Sequence, residues 1–176
     1  MKMTLATALA AAALATPGAA AGTERDALIH LAHATNVSEW VNSRGWLSDS
    51  SICAWQLVGC NEAGRVKTLS LSFNGLRGTL PPSVGNLAAL EALDLEGNFL
   101  TGIVPSSLGG AALLQIGLGI SNSFSGEFPA ALCPTLEGIV SATPPQPHMP
   151  CDLGGTNLWR CPLPCKAAST CGARCQ

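Results

Sequence analysis

Two pairs of side chains in this sequence have the type and spacing that chemistry requires. His30 and His33 are three residues apart in a helical pattern, a separation that two metal ligands can use. Asp94 and Glu96 are two apart in a strand pattern, which puts both carboxylates on one face, as in a general acid–base pair. No acidic or Cys partner follows the histidines at a matching turn, and variable polar residues are the rule on the strand face that carries the two carboxylates. No hydrolase, metalloprotease or phosphate-loop motif occurs. We therefore expect a protein that is not an enzyme and that holds no metal or cofactor.

The cysteines are the third reactive set, and there are eight of them. The last four have the spacing C-x3-C-x5-C-x3-C, which lacks the close C-x2-C pairs and distant partners of zinc ribbons. An even number of cysteines in an exported chain favours disulfides instead. The residues expected to form disulfides are Cys53, Cys60, Cys133, Cys151, Cys161, Cys165, Cys171 and Cys175.

The N-terminal segment has the pattern of a secretory signal peptide. Lys2 precedes an apolar run from Leu5 to Ala15, and the small residues Ala19 and Ala21 fit a cleavage site. The run is shorter than the roughly 20 apolar residues that a membrane-spanning helix needs. We expect a secreted protein, located in the cell wall or at the cell surface, that does not insert into the membrane.

Export also bears on charge and on modification. Cleavage would remove Lys2 and leave eight basic against eleven acidic residues, a net charge near −3. The absence of any Lys or Arg run argues against nucleic acid and anionic lipid as partners. The triplet that begins at Asn36 is the only Asn-x-Ser/Thr sequence in the chain, which makes Asn36 a candidate for glycosylation, although such triplets also occur by chance.

The middle of the chain repeats every 24 residues, and this period indicates the elements that position the polar side chains. Three residue types share the period. Independent strands of a sandwich have no reason to repeat three residue types in phase. The repeating residues are Asn74, Asn98 and Asn122, then Gly78, Gly102 and Gly126, then Pro81, Pro105 and Pro129.

Each unit has the chemistry of one coil. In "LSLSFN" and "LDLEGN" the leucines alternate with polar residues, as in a strand with one buried face and one exposed face. An Asn buried at the end of the strand can bond backbone groups that have lost their ladder partners, so stacked Asn side chains join successive coils. The Gly-x-x-Pro that follows redirects the chain with a permissive residue and then a fixed φ. One coil cannot bury its leucines alone, so the coils stack as a solenoid.

The stretch "LSLSFNGLRGTLPPSVGNLAALEALDLEGNFLTGIVPSSLGG" resembles the plant-type extracellular leucine-rich repeat, and the resemblance extends over roughly residues 23–135. It implies an α/β fold, a short right-handed solenoid with a parallel β-sheet on its concave side. It also implies a second set of short strands around the L-x-G-x-I-P segment, a helical N-terminal cap and a disulfide-rich C-terminal cap.

The N-terminal flank is similar to the cap of that family. "ERDALIHLAHAT" predicts a helix with one apolar face, and Thr23 with Asp26 resembles a capping box at its start. "CAWQLVGC" is similar to the cap signature C-x-W-x-G-V-x-C, which implies a disulfide between Cys53 and Cys60. Leu57 stands where the signature has Gly, so the signature predicts the cap but not the conformation of this local turn.

The third coil departs from the period by one residue. In "LLQIGLGISN", Ile116 and Leu118 lie one position early relative to Asn122. A one-residue slip would send every side chain to the opposite face and put two glycines in the core. We therefore predict a bulge near Ile120–Ser121 that keeps Ile116 and Leu118 inside.

A degenerate fourth coil is predicted in "CDLGGTNLWRCPLP", with Asn157 at the ladder position and Trp159 at the position of Phe124. The insertion before it lengthens the spacing to 35 residues and is predicted to be a surface loop. If Cys53 pairs with Cys60, the other six cysteines still allow fifteen pairings, of which Cys133–Cys151 across the loop is one. The expected organisation is a signal peptide (1–21), an N-terminal cap (22–65), three repeats (66–135), a Pro-rich loop (136–150), and a degenerate repeat with a Cys-rich cap (151–176).

The concave sheet is the surface left for function, because a solenoid presents one row of side chains per coil there. Its third row is nearly bare, with Gly117 and Gly119 beside Gln115, and the chain has no Tyr to act as an anchor. The side chains predicted to contact a protein or peptide ligand are Thr68, Ser70, Ser72, Phe73, Ala92, Asp94, Glu96 and Gln115.

The resemblance to receptor-kinase ectodomains and to polygalacturonase inhibitors implies two functions. The first is a secreted module that recognises a peptide or protein in cell-surface signalling or defence, with a membrane receptor kinase as its partner. The second is an inhibitor of a secreted cell-wall hydrolase, although such inhibitors carry many more repeats. A third hypothesis, from the cysteines of the cap, is a structural wall or matrix protein.

Overall fold

The computed structural model describes residues 23–141, 151–154 and 158–160, and within them the chain winds into stacked coils that contribute parallel strands to two sheets. The helices are α1 (Glu24–Ala34) and α2 (Cys133–Ser141). The strands are β1 (Val58–Cys60), β2 (Val66–Ser70), β3 (Arg77–Thr79), β4 (Ala92–Asp94), β5 (Phe99–Gly102), β6 (Gln115–Gly117), β7 (Ser123–Glu127), β8 (Cys151–Asp152) and β9 (Leu158–Arg160). The first sheet has the order β1-β2-β4-β6-β8 and the second has the order β3-β5-β7-β9.

Helix α1 begins at the predicted capping box. Asp26 N–H donates to Thr23 Oγ1 at 3.1 Å, and the Asp26 carboxylate accepts from the hydroxyl and the backbone N–H of Thr23. These hydrogen bonds, from the hydroxyl first and then from the backbone, lower the pKa of Asp26. The apolar face of the helix is buried as predicted, and its residues are Ala27, Leu28, Leu31 and Ala32.

The remainder of the cap is built on three tryptophans and one disulfide. The ring centroids of Trp40 and Trp46 are 4.8 Å apart, and Trp46 lies 5.2 Å from Trp55. The predicted disulfide between Cys53 and Cys60 is present. Strand β1, which the sequence did not predict, pairs antiparallel with β2 and so attaches the cap to the first coil.

The first sheet buries one residue per strand in register. Leu69 pairs with Leu93, Leu93 with Ile116, and Ile116 with Cys151, all between parallel strands. The three apolar side chains of this row are fully or almost fully buried, because alternate residues of a strand face the core. The polar residues between them face the opposite, concave side.

The second sheet forms around the Gly-x-x-Pro segments, as the resemblance implied. Gly78, Gly102 and Gly126 all have positive φ values, of 118°, 77° and 93°, which explains why glycine repeats there. The repeated prolines each precede a short 3₁₀ helix, at Pro82–Asn86, Ser106–Gly110 and Ala130–Leu132.

The third coil contains the predicted bulge. The N–H of Leu95 donates to the carbonyl of Gly117, whereas the N–H of Gly97 donates to the carbonyl of Ile120. A step of two residues along the second coil, from Leu95 to Gly97, therefore pairs with a step of three along the third, from Gly117 to Ile120. Ile120 accommodates the extra residue with a positive φ of 42°. Ile116 and Leu118 are fully buried, so the predicted register is confirmed.

The fourth coil has the register that its 35-residue spacing requires. In the second sheet Gly102 pairs with Phe124, which lies two residues before Gly126, the next repeated glycine. In the same way Gly126 pairs with Trp159, which lies two residues before Cys161. Trp159 thus occupies the backbone position of Phe124. Leu153, the residue that corresponds to Leu118, is fully buried.

One predicted boundary is wrong. Residues 136–141, expected to begin the Pro-rich loop, lie in α2. Pro134 suits the first turn of a helix, Leu136 packs into the core, and the run of prolines starts only at Pro144, beyond the helix. The prolines that favour a loop therefore begin only after the helix, although the composition of the whole insertion suggested a loop from residue 136.

Several predictions concern residues outside the described part of the chain. They are the signal peptide at 1–21, the remainder of the loop at 142–150, Asn157 of the ladder, and Cys161, Cys165, Cys171 and Cys175. Cys133 is disulfide-bonded, but its pairing with Cys151 depends on a side chain that is not described. Among the described residues, no helix has the length and apolar character needed to cross a bilayer.

Candidate functional site

The repeated asparagines lie at the corner where each concave strand ends, and their amides fix that corner. Asn98 is fully buried, and its Nδ2 donates to the carbonyls of Leu71 and Leu95, both at 2.8 Å. Its Oδ1 accepts from the N–H groups of Asn74 and Leu76, at 3.1 and 3.0 Å. One side chain thus satisfies four backbone groups in two coils, which makes its role structural.

The ladder starts in the cap, which the sequence did not reveal. The N–H of Asn42 donates to Oδ1 of Asn74 at 2.7 Å, and Nδ2 of Asn74 donates to the carbonyl of Asn42 at 3.1 Å. Asn42 lies 32 residues before Asn74 rather than 24, so the period could not identify it. Hydrogen bonds of the ladder therefore stabilise the concave surface from the cap through the repeats.

The predicted ligand-contacting residues lie along the outer face of the first sheet, and all of them reach solvent. Ser70 and Gln115 are exposed, whereas Asp94 and Glu96 are partly buried. The members of the predicted set that are partly buried are Thr68, Ser72, Ala92, Asp94 and Glu96, and those that are exposed are Ser70, Phe73 and Gln115. Strands β2, β4 and β6 carry five members of the set, whereas the other three follow the ends of β2 and β4; these three are Ser72, Phe73 and Glu96.

Asp94 and Glu96 converge on the third row. A Cβ placed on Gly117 would lie 2.7 Å from Oε1 of Glu96 and 3.2 Å from Oδ1 of Asp94. Gly117 is consequently buried rather than bare, because the two acidic side chains of the neighbouring coil cover it. Oδ1 of Asp94 also accepts the N–H of Glu96 at 3.2 Å, which holds the first carboxylate in place.

A pair of opposite charges borders the start of the same strands. Nζ of Lys67 lies 3.1 Å from Oε2 of Glu91, and both side chains are partly exposed. An exposed pair of this kind contributes little to stability. Because Glu91 neutralises the charge of Lys67, the remaining charges on this face are those of Asp94 and Glu96, which make it acidic.

The residue before each ladder asparagine adopts a left-handed backbone. The φ values are 49° for Phe73, 66° for Gly97 and 63° for Ser121. Glycine adopts this conformation at no steric cost, whereas a bulky side chain rarely does. Phe73 is thus the outlier of the row, and the sequence placed it on the concave face without revealing this strain.

The Phe73 ring is a prominent feature of the surface. It lies across Gly97 so closely that a Cβ at Gly97 would overlap the ring, yet 66% of the residue remains exposed. Val41 and Ile120, at the same corner of the preceding and third coils, are also exposed. Phe99 is exposed on the far side of the corner, where the Arg77 guanidinium lies 4.3 Å from its ring centroid. Four of the seven large exposed apolar residues in the described chain thus belong to this one corner, a concentration typical of interaction surfaces.

A second concavity lies between the 3₁₀ helices and the second sheet. It encloses about 520 Å³ and is lined by residues that include Thr79, Leu80, Ile103 and Pro105. Its lining carries no charged side chain. The groove is therefore less suited than the concave face to specific polar recognition.

The histidines are not brought together with other metal ligands. His30 and His33 are both exposed on α1, and Nδ1 of His30 lies 3.3 Å from Oγ of Ser83. No group of three or more His, Cys, Asp or Glu side chains that could bind a metal occurs in the described residues.

Comparison with known proteins gives the family of the repeats. The Leucine Rich Repeat family model matches residues 65–87 and 89–111, the segments that contain the first two coils. The leucine-rich-repeat ectodomain of the plant membrane receptor kinase GASSHO1/SCHENGEN3 from Arabidopsis thaliana, in complex with CASPARIAN STRIP INTEGRITY FACTOR 2, is 33% identical over 61% of this chain, with a TM-score of 0.55.

Two further structures have the same fold. The PEPR1–AtPEP1 structure is 26% identical over 61% of this chain, with a TM-score of 0.52, and the Arabidopsis thaliana BIR3–SERK2 structure is 21% identical over 82%, with a TM-score of 0.53. The chain spans 13% of the GASSHO1/SCHENGEN3 ectodomain, 16% of the PEPR1 match and 88% of the BIR3–SERK2 match. The matched segments are leucine-rich repeats, and with its Asn ladder and its stacked parallel strands the chain is similar to the leucine-rich-repeat ectodomains of plant receptor kinases.

Proposed function

We propose that this chain is a secreted, non-enzymatic binding module that recognises a peptide or protein with its concave sheet and the adjoining Phe73 corner. Phe73 is the observation that carries the proposal. A non-glycine residue in the left-handed region costs about 1–2 kcal/mol. Because 66% of Phe73 remains exposed, burial in the folded chain returns only part of that cost. Backbone strain of this kind clusters at ligand contacts, and exposed aromatic side chains are frequent binding anchors.

The similar structures support the class of partner. The GASSHO1/SCHENGEN3 ectodomain is in complex with CASPARIAN STRIP INTEGRITY FACTOR 2, and PEPR1 is paired with AtPEP1. Since this chain spans only 13% and 16% of those proteins, their particular partners do not carry over. What we infer from them is a protein or peptide ligand, with a membrane receptor kinase as a further partner in cell-surface signalling or defence.

An extracellular location is part of the proposal. Its support is the leader pattern of residues 1–21 together with the disulfide that closes the cap, because disulfides persist in oxidising compartments. The same location is consistent with receptor ectodomains as structural neighbours.

The test is retention of extracellular proteins on the immobilised full-length chain. We expect Phe73→Gly to abolish retention of at least one partner, since glycine keeps the left-handed turn while it removes the ring. Asp94→Arg should do the same, because it reverses an acidic charge on the concave face. Leu114→Ser is the matched control, since Leu114 is 65% exposed but lies at the start of the concave strands, away from the corner.

The outcome separates this surface from any other. Loss of the same partner in Phe73→Gly and Asp94→Arg, with retention in Leu114→Ser, supports the proposal. An identical set of retained proteins for wild type and all three variants would show that neither the concave face nor the corner binds.

A further inference from the structure

We propose that Asn36 is a site of N-linked glycosylation and that its glycan covers the outer edge of the second sheet. The proposal requires entry into the secretory pathway but is independent of the ligand-binding surface. The Asn-Val-Ser triplet that begins at Asn36 is the sequence that N-glycosylation requires. The structure adds three observations: the backbone turn, the hydrogen bonding of the amide, and the face of the molecule on which they lie.

The backbone presents Asn36 at a fixed turn just beyond α1. Its φ and ψ are 58° and 63°, in the left-handed region, where Asn is several-fold enriched over other non-glycine residues. The turn is closed on both sides, because Asn36 N–H donates to the carbonyl of His33 at 3.4 Å and Glu39 N–H donates to the carbonyl of Asn36 at 3.0 Å. The acceptor amide therefore stands on an ordered projection and not within a helix or strand.

The side chain is hydrogen-bonded to the serine of its own triplet. The Ser38 hydroxyl donates to Oδ1 of Asn36 at 2.9 Å, and both residues are exposed. Val37, between them, is partly buried and packs against the core. Oδ1 is thus engaged, whereas among the described residues Nδ2 donates no hydrogen bond and Asn36 as a whole is exposed. No partner in this part of the chain competes for the nitrogen that would carry the sugar.

The location of the turn decides what a glycan would cover. The Arg77 N–H donates to the carbonyl of Thr35 at 3.1 Å, and the Ala34 carbonyl contacts Gly78, so residues 34–36 border β3. Strand β3 is one of the two edge strands of the second sheet, since that sheet runs β3-β5-β7-β9. A glycan at Asn36 thus stands beside that edge and on the opposite sheet from the predicted ligand-contacting residues.

The modification is a transfer from a lipid-linked oligosaccharide diphosphate. Nδ2 of Asn36 forms a bond to the anomeric carbon of the first sugar, while the bond from that carbon to the diphosphate oxygen breaks. The lipid diphosphate leaves with the electron pair, and the proton lost from Nδ2 passes to a base of the transferring enzyme. The net charge of the Asn36 side chain does not change.

The experiment expresses the full chain in eukaryotic secretory cells and measures intact mass before and after treatment with an amidase that releases N-glycans. We expect one enzyme-sensitive glycan on the wild-type chain, with conversion of Asn36 to Asp on release. Asn36→Gln and Ser38→Ala should each abolish it, and Ser38→Ala does so without changing the residue at the left-handed position. Ser38→Thr should restore it, and Val37→Ala is the matched control within the triplet that should keep it.

Three results would overturn the proposal: wild-type protein with no enzyme-sensitive mass, a glycan that persists in Ser38→Ala, or loss of the glycan in Val37→Ala. The assay is distinguishable from the binding test, because Ser38→Ala protein without a glycan should retain the same partners through Phe73 as wild type does. Failure of ligand binding with an intact glycan, or the reverse, would reject one proposal and leave the other.

Discussion

The left-handed backbone at Phe73 makes a quantitative prediction about two substitutions that delete the same ring. Phe73→Ala and Phe73→Gly both remove the contact with Gly97, but only glycine relieves the strain at φ 49°. Relief is worth about 1–2 kcal/mol, and the extra freedom of glycine in the unfolded chain offsets it by about 0.4–1 kcal/mol. We expect Phe73→Gly to be more stable than Phe73→Ala by about 1 kcal/mol.

The loss of the ring contact determines how the stability of both variants compares with that of wild type. Full burial of a Phe side chain is worth about 1.5–3 kcal/mol, and roughly a third of Phe73 is covered, which gives about 0.5–1 kcal/mol. Phe73→Ala should therefore be less stable than wild type by about this amount. Phe73→Gly should lie within a few tenths of a kcal/mol of wild type, since strain relief and contact loss nearly cancel.

The assay is thermal or urea unfolding of the three proteins under identical conditions. A difference of 1 kcal/mol corresponds to a shift of about 2–4 °C in Tm for a chain of this size. Ser72 supplies the matched control, because its φ is not positive and glycine has no advantage there. At Ser72 the order should reverse, with Ala more stable than Gly.

Equal stability of Phe73→Ala and Phe73→Gly would contradict this prediction. That result would mean that the left-handed position carries no strain, and Phe73 would then lose its distinction from any exposed aromatic residue. A glycine advantage of the same size at Ser72 would be equally damaging, because it would point to a general effect of glycine in this loop.

Three further predictions concern the scaffold. Asn98→Ala leaves several buried backbone groups without partners, each worth about 1–3 kcal/mol, so we expect a loss of at least 3 kcal/mol by urea unfolding, whereas the exposed Asn61→Ala should lose far less. Gly97→Ala should be destabilising because its Cβ meets the Phe73 ring, and a double variant with Phe73→Gly should recover part of the loss in a double-mutant cycle. The pKa of Asp26 is lowered in the folded chain, so its contribution to stability is present above the unfolded pKa and is lost as pH falls through the folded pKa; Asp26→Asn should remove this pH dependence in acid unfolding.

The repeating elements could be predicted because each depends on residues within one period. Once the coils stack at 24 residues, the buried Asn98 amide can bond only the backbone groups of its own and the preceding coil. The repeated glycines likewise have positive φ in every coil. Even the irregular third coil followed from the rule that one residue of slip reverses the faces of a strand. Ile116 and Leu118 are buried for that reason.

The remainder depends on contacts that no period encodes. Leu57 has φ 68°, so the missing glycine of the cap signature is replaced by a strained leucine, not by a different turn. The same holds for Phe73, whose sequence neighbours indicated only that it follows a strand. Helix α2 was hidden because composition averaged over the whole insertion conceals six helical residues ahead of the prolines.

The start of the Asn ladder explains why so short a solenoid can hold a rigid surface. Oδ1 of each ladder asparagine accepts an N–H from the preceding coil, so the first coil needs a donor from outside the repeats. Asn42 supplies it to Asn74, and the N–H of Val41 donates to the Asn74 carbonyl at 3.0 Å. The cap therefore completes the hydrogen bonding of the first corner as well as covering its leucines. Because Phe73 immediately precedes Asn74, the strained turn that presents its ring is fixed by the cap on one side and by Asn98 on the other.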